Sequence, residues 1–259
     1  MGAQAHSPIA TLADNSADSA AGILDTYVKE GSTQNFSHDE RLWISNTNYY
    51  GNRLTYLKVV DLPRLGANHF ITSAKLCVRN VYAPTADTAI MCTEVLEDWD
   101  PETITYDHQP DVSSVYQDYC RVVKNQYSWK EFDVTSLARK WYLGENHGVQ
   151  LSAPESESSF SQLHSSETAN QPYFVLEYAS LAGLESYLTY DHQSAGLAGT
   201  GSVSLVNGNL IFAHADTAMN GNRLPVSVTH YYNSCDSDKD EFGMGYGWRT
   251  SLHQTLHKV

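Results

Sequence analysis

The chain has 259 residues, of which 41% are hydrophobic and 18% are charged. Because average globular chains carry about 25% charged residues, this composition excludes disorder throughout and leaves room for one large β domain or two smaller domains. Thirty acidic side chains against sixteen basic ones give a formal net charge of -14, which disfavours nucleic acid and an anionic membrane surface as partners.

The first predicted element is a linker or disordered lead-in over residues 1–21, which are rich in Ala, Ser, Asp and Thr and have no apolar period. Residues 1–12 lack the basic and apolar runs of a signal peptide. No stretch of the chain approaches the roughly 18 apolar residues of a membrane helix. We therefore expect no membrane span, and either a cytosolic protein or an internal segment of a longer exported chain.

Short β-branched and aromatic runs, separated by Gly, Pro, Asn and Asp, fill residues 22–178. This pattern is typical of an antiparallel all-β sandwich, and eight short strands suit a jelly-roll-like pair of sheets. We predict a sandwich domain over residues 22–180. Its predicted strands are residues 23–29, 41–45, 54–61, 71–81, 89–97, 128–134, 148–152 and 173–178.

One segment of this domain breaks the β pattern and predicts a short helix. Leu137 and Trp141 stand four residues apart and therefore share one helical face. Thr135 or Ser136 offers an N-cap, and Gly144 offers a stop signal. We expect the helix to plug one end of the sandwich, with Trp141 in the core.

Residues 181–259 form a second predicted unit, in which the composition turns toward Gly, Asn, Tyr and His. The pair Asn207-Gly208 between two alternating runs predicts a hairpin with a type I′ turn. The predicted strands are residues 202–206, 209–214, 223–233 and 248–258. The last strand is still alternating at Val259, so we expect this unit to be the incomplete start of a larger antiparallel β structure.

The four cysteines are Cys77, Cys92, Cys120 and Cys235, and they show neither a C-x-x-C pair nor a zinc-finger spacing with His. Cys77 and Cys92 lie in consecutive alternating runs and would face each other if these runs formed a hairpin. A cross-strand disulfide and two free thiols that pack as small hydrophobic groups both remain open.

A series of short motifs runs in order through residues 22–178: Asp25-Thr26-Tyr27-Val28, Tyr56-Leu57-Lys58-Val59, Ile71-Thr72-Ser73-Ala74-Lys75-Leu76, Gln109-Pro110, Phe132-Asp133-Val134-Thr135-Ser136-Leu137 and Gly148-Val149-Gln150-Leu151. Together they resemble a DNRLRE-type domain, a β-sandwich family similar to carbohydrate-binding modules and frequent in secreted bacterial surface proteins. The resemblance implies a non-catalytic module that binds cell-wall or environmental glycans.

The second unit carries Gly199-Thr200-Gly201, Asn207-Gly208-Asn209-Leu210, Tyr232-Asn233-Ser234 and Gly245-Tyr246-Gly247-Trp248. It resembles the segment that leads into the repeats of Rhs, or YD-repeat, proteins. Chains of that kind form a large exported or surface-displayed β cocoon, which in many members encloses a C-terminal toxin. The resemblance implies an extracellular or cell-wall location, with the remaining Rhs shell of the parent chain as a partner.

Exposed aromatic rings flanked by polar side chains are the groups that bind sugars on protein surfaces. Leu42 and Ile44 share one face of a predicted strand, so Trp43 points to the other face. Tyr49 and Tyr50 follow in an Asn-rich loop. We predict Trp43, Tyr49 and Tyr50 as carbohydrate-binding residues, with coverage of Trp43 by the lead-in or a loop as the alternative.

Two places are candidates for structural calcium. Asp25 begins the first strand, and in sandwich modules of this kind a carboxylate near a chain end often helps to hold that ion. Asp236, Asp238 and Asp240 have the Asp-x-Asp-x-Asp spacing of a calcium loop, although Glu241 stands where the loop requires glycine. A turn-capping Asp25 and a solvated acidic turn are the alternatives.

Motifs for catalysis are missing from the sequence, which has no Gly-x-Ser-x-Gly, no His-Glu-x-x-His and no phosphate-binding loop. Tyr-Asp-His-Gln occurs at residues 106–109 and 190–193, but adjacent residues on a strand point to opposite faces. We therefore expect a binding module and no enzyme. A structural spacer or cap of an Rhs-type toxin-delivery shell is the alternative, and a polysaccharide-active enzyme is the least favoured.

Overall fold

The computed structural model describes residues 10–13, 22–63, 65, 69–81, 86–156, 158–180, 184, 188–219, 226–236 and 243–252. Over these residues the chain is mostly antiparallel β structure, and the predicted all-β sandwich with a short helix and a smaller antiparallel sheet is confirmed. Short 3-10 turns lie at Gly196–Ala198 and Ser234–Asp236. The strands and the helix are β1 (Ala10–Ala13), β2 (Ile23–Lys29), β3 (Arg41–Thr47), β4 (Gly51–Val59), β5 (His69–Arg79), β6 (Thr88–Val95), β7 (Val112–Val122), β8 (Trp129–Asp133), α1 (Thr135–Trp141), β9 (Val149–Ser152), β10 (Phe160–His164), β11 (Tyr173–Ser180), β12 (Tyr190–Ser194), β13 (Thr200–Ser204), β14 (Leu210–Met219), β15 (Val226–Asn233) and β16 (Trp248–Thr250).

The chain forms two compact units, and the larger contains Ala10–Arg64 and Ile71–Tyr178. Its four-stranded sheet has the order β1-β11-β5-β8, and its seven-stranded sheet has the order β10-β3-β4-β9-β6-β7 with β2 paired to β4. Both sheets supply apolar side chains to the sandwich core. Among the fully buried ones are Leu76, Phe132 and Leu176 from the first sheet and Leu57, Ile90 and Leu151 from the second.

A smaller core lies on the opposite face of the seven-stranded sheet. Tyr56 and Leu57 are neighbours on β4, so their side chains point to opposite faces, and both are buried. Tyr56 belongs to a buried cluster with Val28, Val95 and Ile104, against which Trp99 and Tyr106 pack. The connection between β6 and β7 therefore covers part of the sheet face that Tyr56 occupies.

Three strands of the larger unit fall outside the predicted ones. β1 pairs with β11 from Ala10 to Ala13, so this part of the predicted lead-in is a strand and the prediction of a linker is wrong there. β7 pairs with β6, and β10 pairs with β3. The sequences of β7 and β10 are rich in Ser, Gln and other polar residues. They become strands because they form hydrogen bonds with strands elsewhere in the sequence. The alternation of residues within a segment does not predict such pairing.

The helix α1 has the predicted apolar face, and its buried residues are Leu137, Ala138 and Trp141. The predicted N-cap is wrong, because Val134 occupies the N-cap position and makes no side-chain capping hydrogen bond. The hydroxyl of Thr135 instead accepts a hydrogen bond of 2.9 Å from the backbone N–H of Ala74 on β5. The side chain that bonds the start of the helix is that of Asp133, whose Oδ1 accepts a hydrogen bond of 2.9 Å from the backbone N–H of Thr135.

The smaller unit contains a five-stranded antiparallel sheet in the order β12-β13-β14-β15-β16. β13 and β14 form the predicted hairpin, but the turn is not type I′. Gly208 has a positive φ of 72°, whereas Asn125 is the one described non-glycine residue with a positive φ, so Asn207 lacks the required conformation. The loop closes instead through the N–H of Gly208, which donates to the carbonyl of Ser204 at 2.9 Å. The last predicted strand, residues 248–258, is a strand from Trp248 to Thr250, and its residues 253–258 lie outside the described residues.

Cys77 and Cys92 are not a cross-strand pair, so the geometry that would allow their disulfide is wrong. Cys77 lies on β5 opposite Glu131 in the four-stranded sheet, and Cys92 lies on β6 opposite Leu151 in the seven-stranded sheet. The connection between β5 and β6 carries the chain from one sheet to the other instead of closing a hairpin. All four cysteines are free thiols.

Candidate functional site

Four aromatic rings meet at the β3–β4 hairpin, and we call Trp43, Tyr49, Tyr50 and Phe160 the aromatic cluster. Tyr50 stacks on Phe160 with ring centroids 4.5 Å apart and an angle of 21° between the rings. The Trp43 ring lies 5.8 Å from Tyr50 and 5.4 Å from Phe160, and Tyr49 meets Tyr50 edge-on at 4.7 Å. These separations are typical of favourable aromatic pairs. The three rings predicted from the sequence therefore come together, and β10 adds a fourth.

Arg53 on β4 covers Trp43. Its guanidinium carbon lies 4.2 Å from the centroid of the Trp43 ring and 5.8 Å from that of Tyr50. Its Nε donates a hydrogen bond of 3.2 Å to the backbone carbonyl of Tyr50. A guanidinium over an indole face is an attractive contact of about 0.5–1 kcal/mol at an exposed site. Arg53 thus ties the turn to the strand and occupies a face of Trp43 that a sugar would need.

Exposure divides the three predicted residues into two kinds. Leu42 and Ile44 are 0% and 1% exposed, and Trp43 between them is half-buried. Tyr50 is also half-buried, whereas Tyr49 is 87% exposed. Tyr49 is therefore the ring of the aromatic cluster that is open to a ligand, and its ring contact within the cluster is with Tyr50.

Two members of this site, Phe160 and Arg53, were not predicted from the sequence. Phe160 begins β10, whose alternation lasts five residues and contains Ser, Gln and His. That signal is too short to predict a strand by itself. Arg53 pairs with Ser45 across the hairpin, but it precedes the predicted strand over residues 54–61, so the predicted strands did not place it near Trp43.

Asp25 lies on β2 and is 3% exposed. Its Oδ2 accepts a hydrogen bond of 2.7 Å from the backbone N–H of Ser166. Its Oδ1 is buried and has no hydrogen-bond partner among the described residues. Burial raises the pKa of this carboxyl to about 7, and the hydrogen bond from Ser166 opposes the rise. The environment therefore favours the protonated, neutral form of Asp25.

Calcium at Asp25 stays a prediction. No group of three or more His, Cys, Asp or Glu side chains among the described residues could hold a metal ion. Asp25 offers a single free oxygen, whereas calcium takes six to eight oxygen ligands. Asp236 ends a 3-10 turn, and Asp238 and Asp240 lie outside the described residues. Calcium at the acidic turn stays a prediction.

The two Tyr-Asp-His-Gln segments have different surroundings. Nδ1 of His108 lies 3.3 Å from the hydroxyl of Thr105, and Gln109 accepts a hydrogen bond of 2.7 Å from Tyr56. Nδ1 of His192 lies 2.8 Å from the hydroxyl of Ser202 on the next strand. The repeated letters therefore do not form a repeated site.

The larger unit is an antiparallel sandwich with an exposed ring beside packed rings. These features are typical of β-sandwich modules that bind ligands. The family model described as carbohydrate-binding module family 96 matches residues 17–178, and the model described as a domain of unknown function (DUF6531) matches residues 200–259. The chain belongs to carbohydrate-binding module family 96. No curated protein matches it. Within the part of the chain that the structure describes, no helix has the length and apolar character to cross a membrane.

Proposed function

We propose that the larger unit binds carbohydrate at the aromatic cluster, with Tyr49 as the ring that stacks on the sugar. The family match over residues 17–178 supports carbohydrate as the ligand class. The observation that carries the location is the 87% exposure of Tyr49 beside three packed rings. A ring offers a large contact area at a low cost in side-chain entropy.

Trp43 and Tyr50 support the binding ring in this proposal. Tyr50 contacts the edge of Tyr49 at 4.7 Å, and Arg53 links the Tyr50 backbone to the Trp43 ring. Replacing Trp43 would therefore disturb the hairpin and the binding together. Tyr49 is the informative position, because its side chain is almost fully exposed and its removal leaves the other packed rings intact.

The wider setting that we propose is a segment of an exported bacterial Rhs-type surface protein, located outside the cell or in the cell wall. The resemblance of residues 183–259 to the segment before Rhs repeats supports this setting, and so does the secreted character of the proteins that the first unit resembles. The segment supplies recognition and no catalysis, and the remaining Rhs shell of the parent chain is its structural partner.

A structural spacer or cap of such a shell is the second candidate. Three of the four rings pack on one another, and Arg53 covers Trp43. A clamp that only stabilises the hairpin needs the same contacts and no ligand. In that case the exposed ring of Tyr49 serves no purpose in recognition, and its removal has no effect on any glycan.

A glycan array probed with the full chain and with Tyr49→Ala separates the two candidates. We expect the native chain to bind at least one glycan and the variant to bind it at least fivefold more weakly, because a sugar–ring contact is lost. Equal melting temperatures would show that the variant is folded. Binding to no glycan, at concentrations up to the millimolar range, would contradict recognition and leave the spacer.

A further inference from the structure

The loop between β2 and β3 encloses a cleft of about 500 Å³, which we call the Phe36 cleft. Phe36 lines the cleft, and its ring stacks on Tyr27 with centroids 4.2 Å apart and an angle of 18° between the rings. The Tyr27 ring in turn lies 6.5 Å from the Trp43 ring. Ring contacts therefore connect the cleft with the aromatic cluster. Its volume lies within the roughly 300–1,000 Å³ of small-molecule sites.

Two exposed parts of this surface lie at the two ends of one series of ring contacts. Tyr49 at one end is 87% exposed, and Phe36 at the other end is partly exposed. Between them lie the rings of Tyr50, Trp43 and Tyr27, which are half-buried or buried. Among the described residues no ring contact joins Tyr49 directly to Phe36. A ligand that touches both ends must therefore extend past the rings between them.

Hydrogen bonds hold the loop that forms the Phe36 cleft. Oδ1 of Asn35 accepts from the N–H of Ser37 at 2.9 Å and from its hydroxyl at 2.7 Å. Nδ2 of Asn35 donates to the carbonyl of Pro101 in another loop. The hydroxyl of Tyr27 donates to Oδ2 of Asp39 at 3.2 Å. A loop that is already ordered loses little entropy when a ligand binds.

Two exposed polar side chains of the Phe36 cleft are available to a ligand. Gln34 and Arg41 line the cleft, and their hydrogen bonds to other described residues come from the backbone N–H groups and not from the side chains. Arg41 and Trp43 are two residues apart on β3, so their side chains lie on the same face of the strand. A guanidinium and an amide can both donate to sugar oxygens. The cleft thus offers a ring and hydrogen-bond donors together.

We propose that the Phe36 cleft is a second sugar subsite, with the Phe36 ring against the apolar face of a sugar and with Gln34 and Arg41 bonding its oxygen atoms. The larger unit then binds a linear glycan chain, with one sugar unit against Tyr49 and another in the cleft. This inference rests on the proposed carbohydrate binding at Tyr49 and extends it to a longer ligand. The second contact adds affinity because it forms without a further loss of translational freedom.

The test is calorimetric titration of the full chain with linear oligosaccharides of two to six units. Xylo-, manno-, cello- and galacturono-oligosaccharides serve as the four series of probes. Phe36→Leu removes the flat ring but keeps an apolar side chain beside Tyr27, and Arg41→Ala removes exposed donors. Arg121→Ala is the matched control, because it removes the same charge from β7, at the edge of the seven-stranded sheet away from β3.

In at least one series we expect the affinity of the native chain and of Arg121→Ala to rise about tenfold or more from two units to six. Phe36→Leu and Arg41→Ala should each bind the six-unit ligand about three- to tenfold more weakly. Both should bind the two-unit ligand as the native chain does, since the short ligand occupies the subsite at Tyr49. Because Arg41 is exposed, its variant tests the cleft even if Phe36→Leu is unstable.

Different failures have different meanings. An affinity that rises with length equally in the native chain and both cleft variants, while Tyr49→Ala weakens every length, would overturn the second subsite and leave the proposed function standing. Equal losses in Arg41→Ala and Arg121→Ala would show an effect of net charge and would also overturn the subsite. Binding to an array glycan but to none of the four series would overturn the linear chain as ligand. A native chain that binds none of these oligosaccharides and no array glycan would overturn the proposed function as well.

Discussion

Single residues of the aromatic cluster have different roles: Trp43 packs within the hairpin, and Tyr49 is exposed to a ligand. The ring of Trp43 lies under the guanidinium of Arg53 at 4.2 Å, whereas the ring of Tyr49 is 87% exposed. A covered ring contributes packing energy whether or not a ligand is present, while an exposed ring gains contacts only when a ligand arrives. Stability and affinity should therefore respond to different members of the same cluster.

Asp25 gives a prediction about the dependence of stability on pH. Burial raises its folded-state pKa to about 7, and the pKa of an unfolded aspartate is about 3.9. Between these values the folded chain holds a proton that the unfolded chain has lost, so the contribution of Asp25 to stability falls as the pH rises through this window. Asp25→Asn, which stays neutral, should be more stable than the native chain at pH 8, by an amount on the order of a few kcal/mol, and nearly equal to it at pH 4.

Urea denaturation of both chains at pH 4, 6 and 8 measures this difference. The two unfolding free energies should separate progressively with pH, with and without 1 mM calcium chloride. A gain in stability on adding calcium that occurs only in the native chain would show that Asp25 binds the ion, and would contradict a carboxyl neutralised by a proton.

Among the elements, the β3–β4 hairpin carries most residues of the candidate site. Local alternation in the sequence predicts both strands and places Trp43 opposite Leu42 and Ile44, because side chains alternate along a strand. The same alternation cannot predict that β10 pairs with β3 and delivers Phe160, since that pairing joins segments more than a hundred residues apart. The face of the strand on which Trp43 lies was thus predictable, and the packing of Phe160 against it was not.

The side chain of Asn46 on this hairpin holds another segment of the chain, whereas that of its cross-strand partner Asn52 does not. Its amide bonds the Pro154 carbonyl and the Ser159 N–H, which flank the segment that leads into β10. We expect Asn46→Ala to lower the free energy of unfolding by about 1–3 kcal/mol, because a part-buried N–H loses its acceptor. Asn52→Ala is the control, since the described residues offer its side chain no hydrogen bond, and it should change stability by less than about 0.5 kcal/mol. Urea denaturation that finds equal losses for the two variants would contradict this role of Asn46.

For the molecule as a whole, composition and turn residues predict antiparallel β structure in both units. They do not predict which strands share a sheet. β5 and β6 are consecutive, and the sequence left a hairpin between them open, yet they belong to different sheets. Sandwich topology places neighbours in sequence on opposite layers, and nothing local in residues 73–97 encodes that step. Of the two alternatives that the sequence left open, the cross-strand Cys77–Cys92 disulfide is wrong for this reason, and the free thiols are found.

The arrangement of sheets also predicts how the thiols react. Cys77, Cys92 and Cys120 are buried, and burial raises the pKa of each; for Cys77 and Cys120 the values are about 11 and about 12. Iodoacetamide at pH 8 should therefore modify only Cys235 in the folded chain, because that thiol is partly exposed and thiolate is the reactive form. Mass spectrometry after labelling in buffer and in urea measures this. Rapid modification of Cys92 in buffer, or a disulfide that joins it to Cys77, would contradict the sheet assignment.

The ring of Tyr49 in the β3–β4 turn is the contact through which we propose that this family member binds glycans. Calorimetric titration of the full chain with the tightest-binding array glycan, in the native form and in Tyr49→Ala and Tyr127→Ala, tests it most directly. We predict equal dissociation constants for the native chain and for Tyr127→Ala, which removes a ring that is 65% exposed and lies outside the aromatic cluster. For Tyr49→Ala we predict a value about tenfold higher at an unchanged melting temperature. A dissociation constant for Tyr49→Ala equal to the native one would contradict the claim.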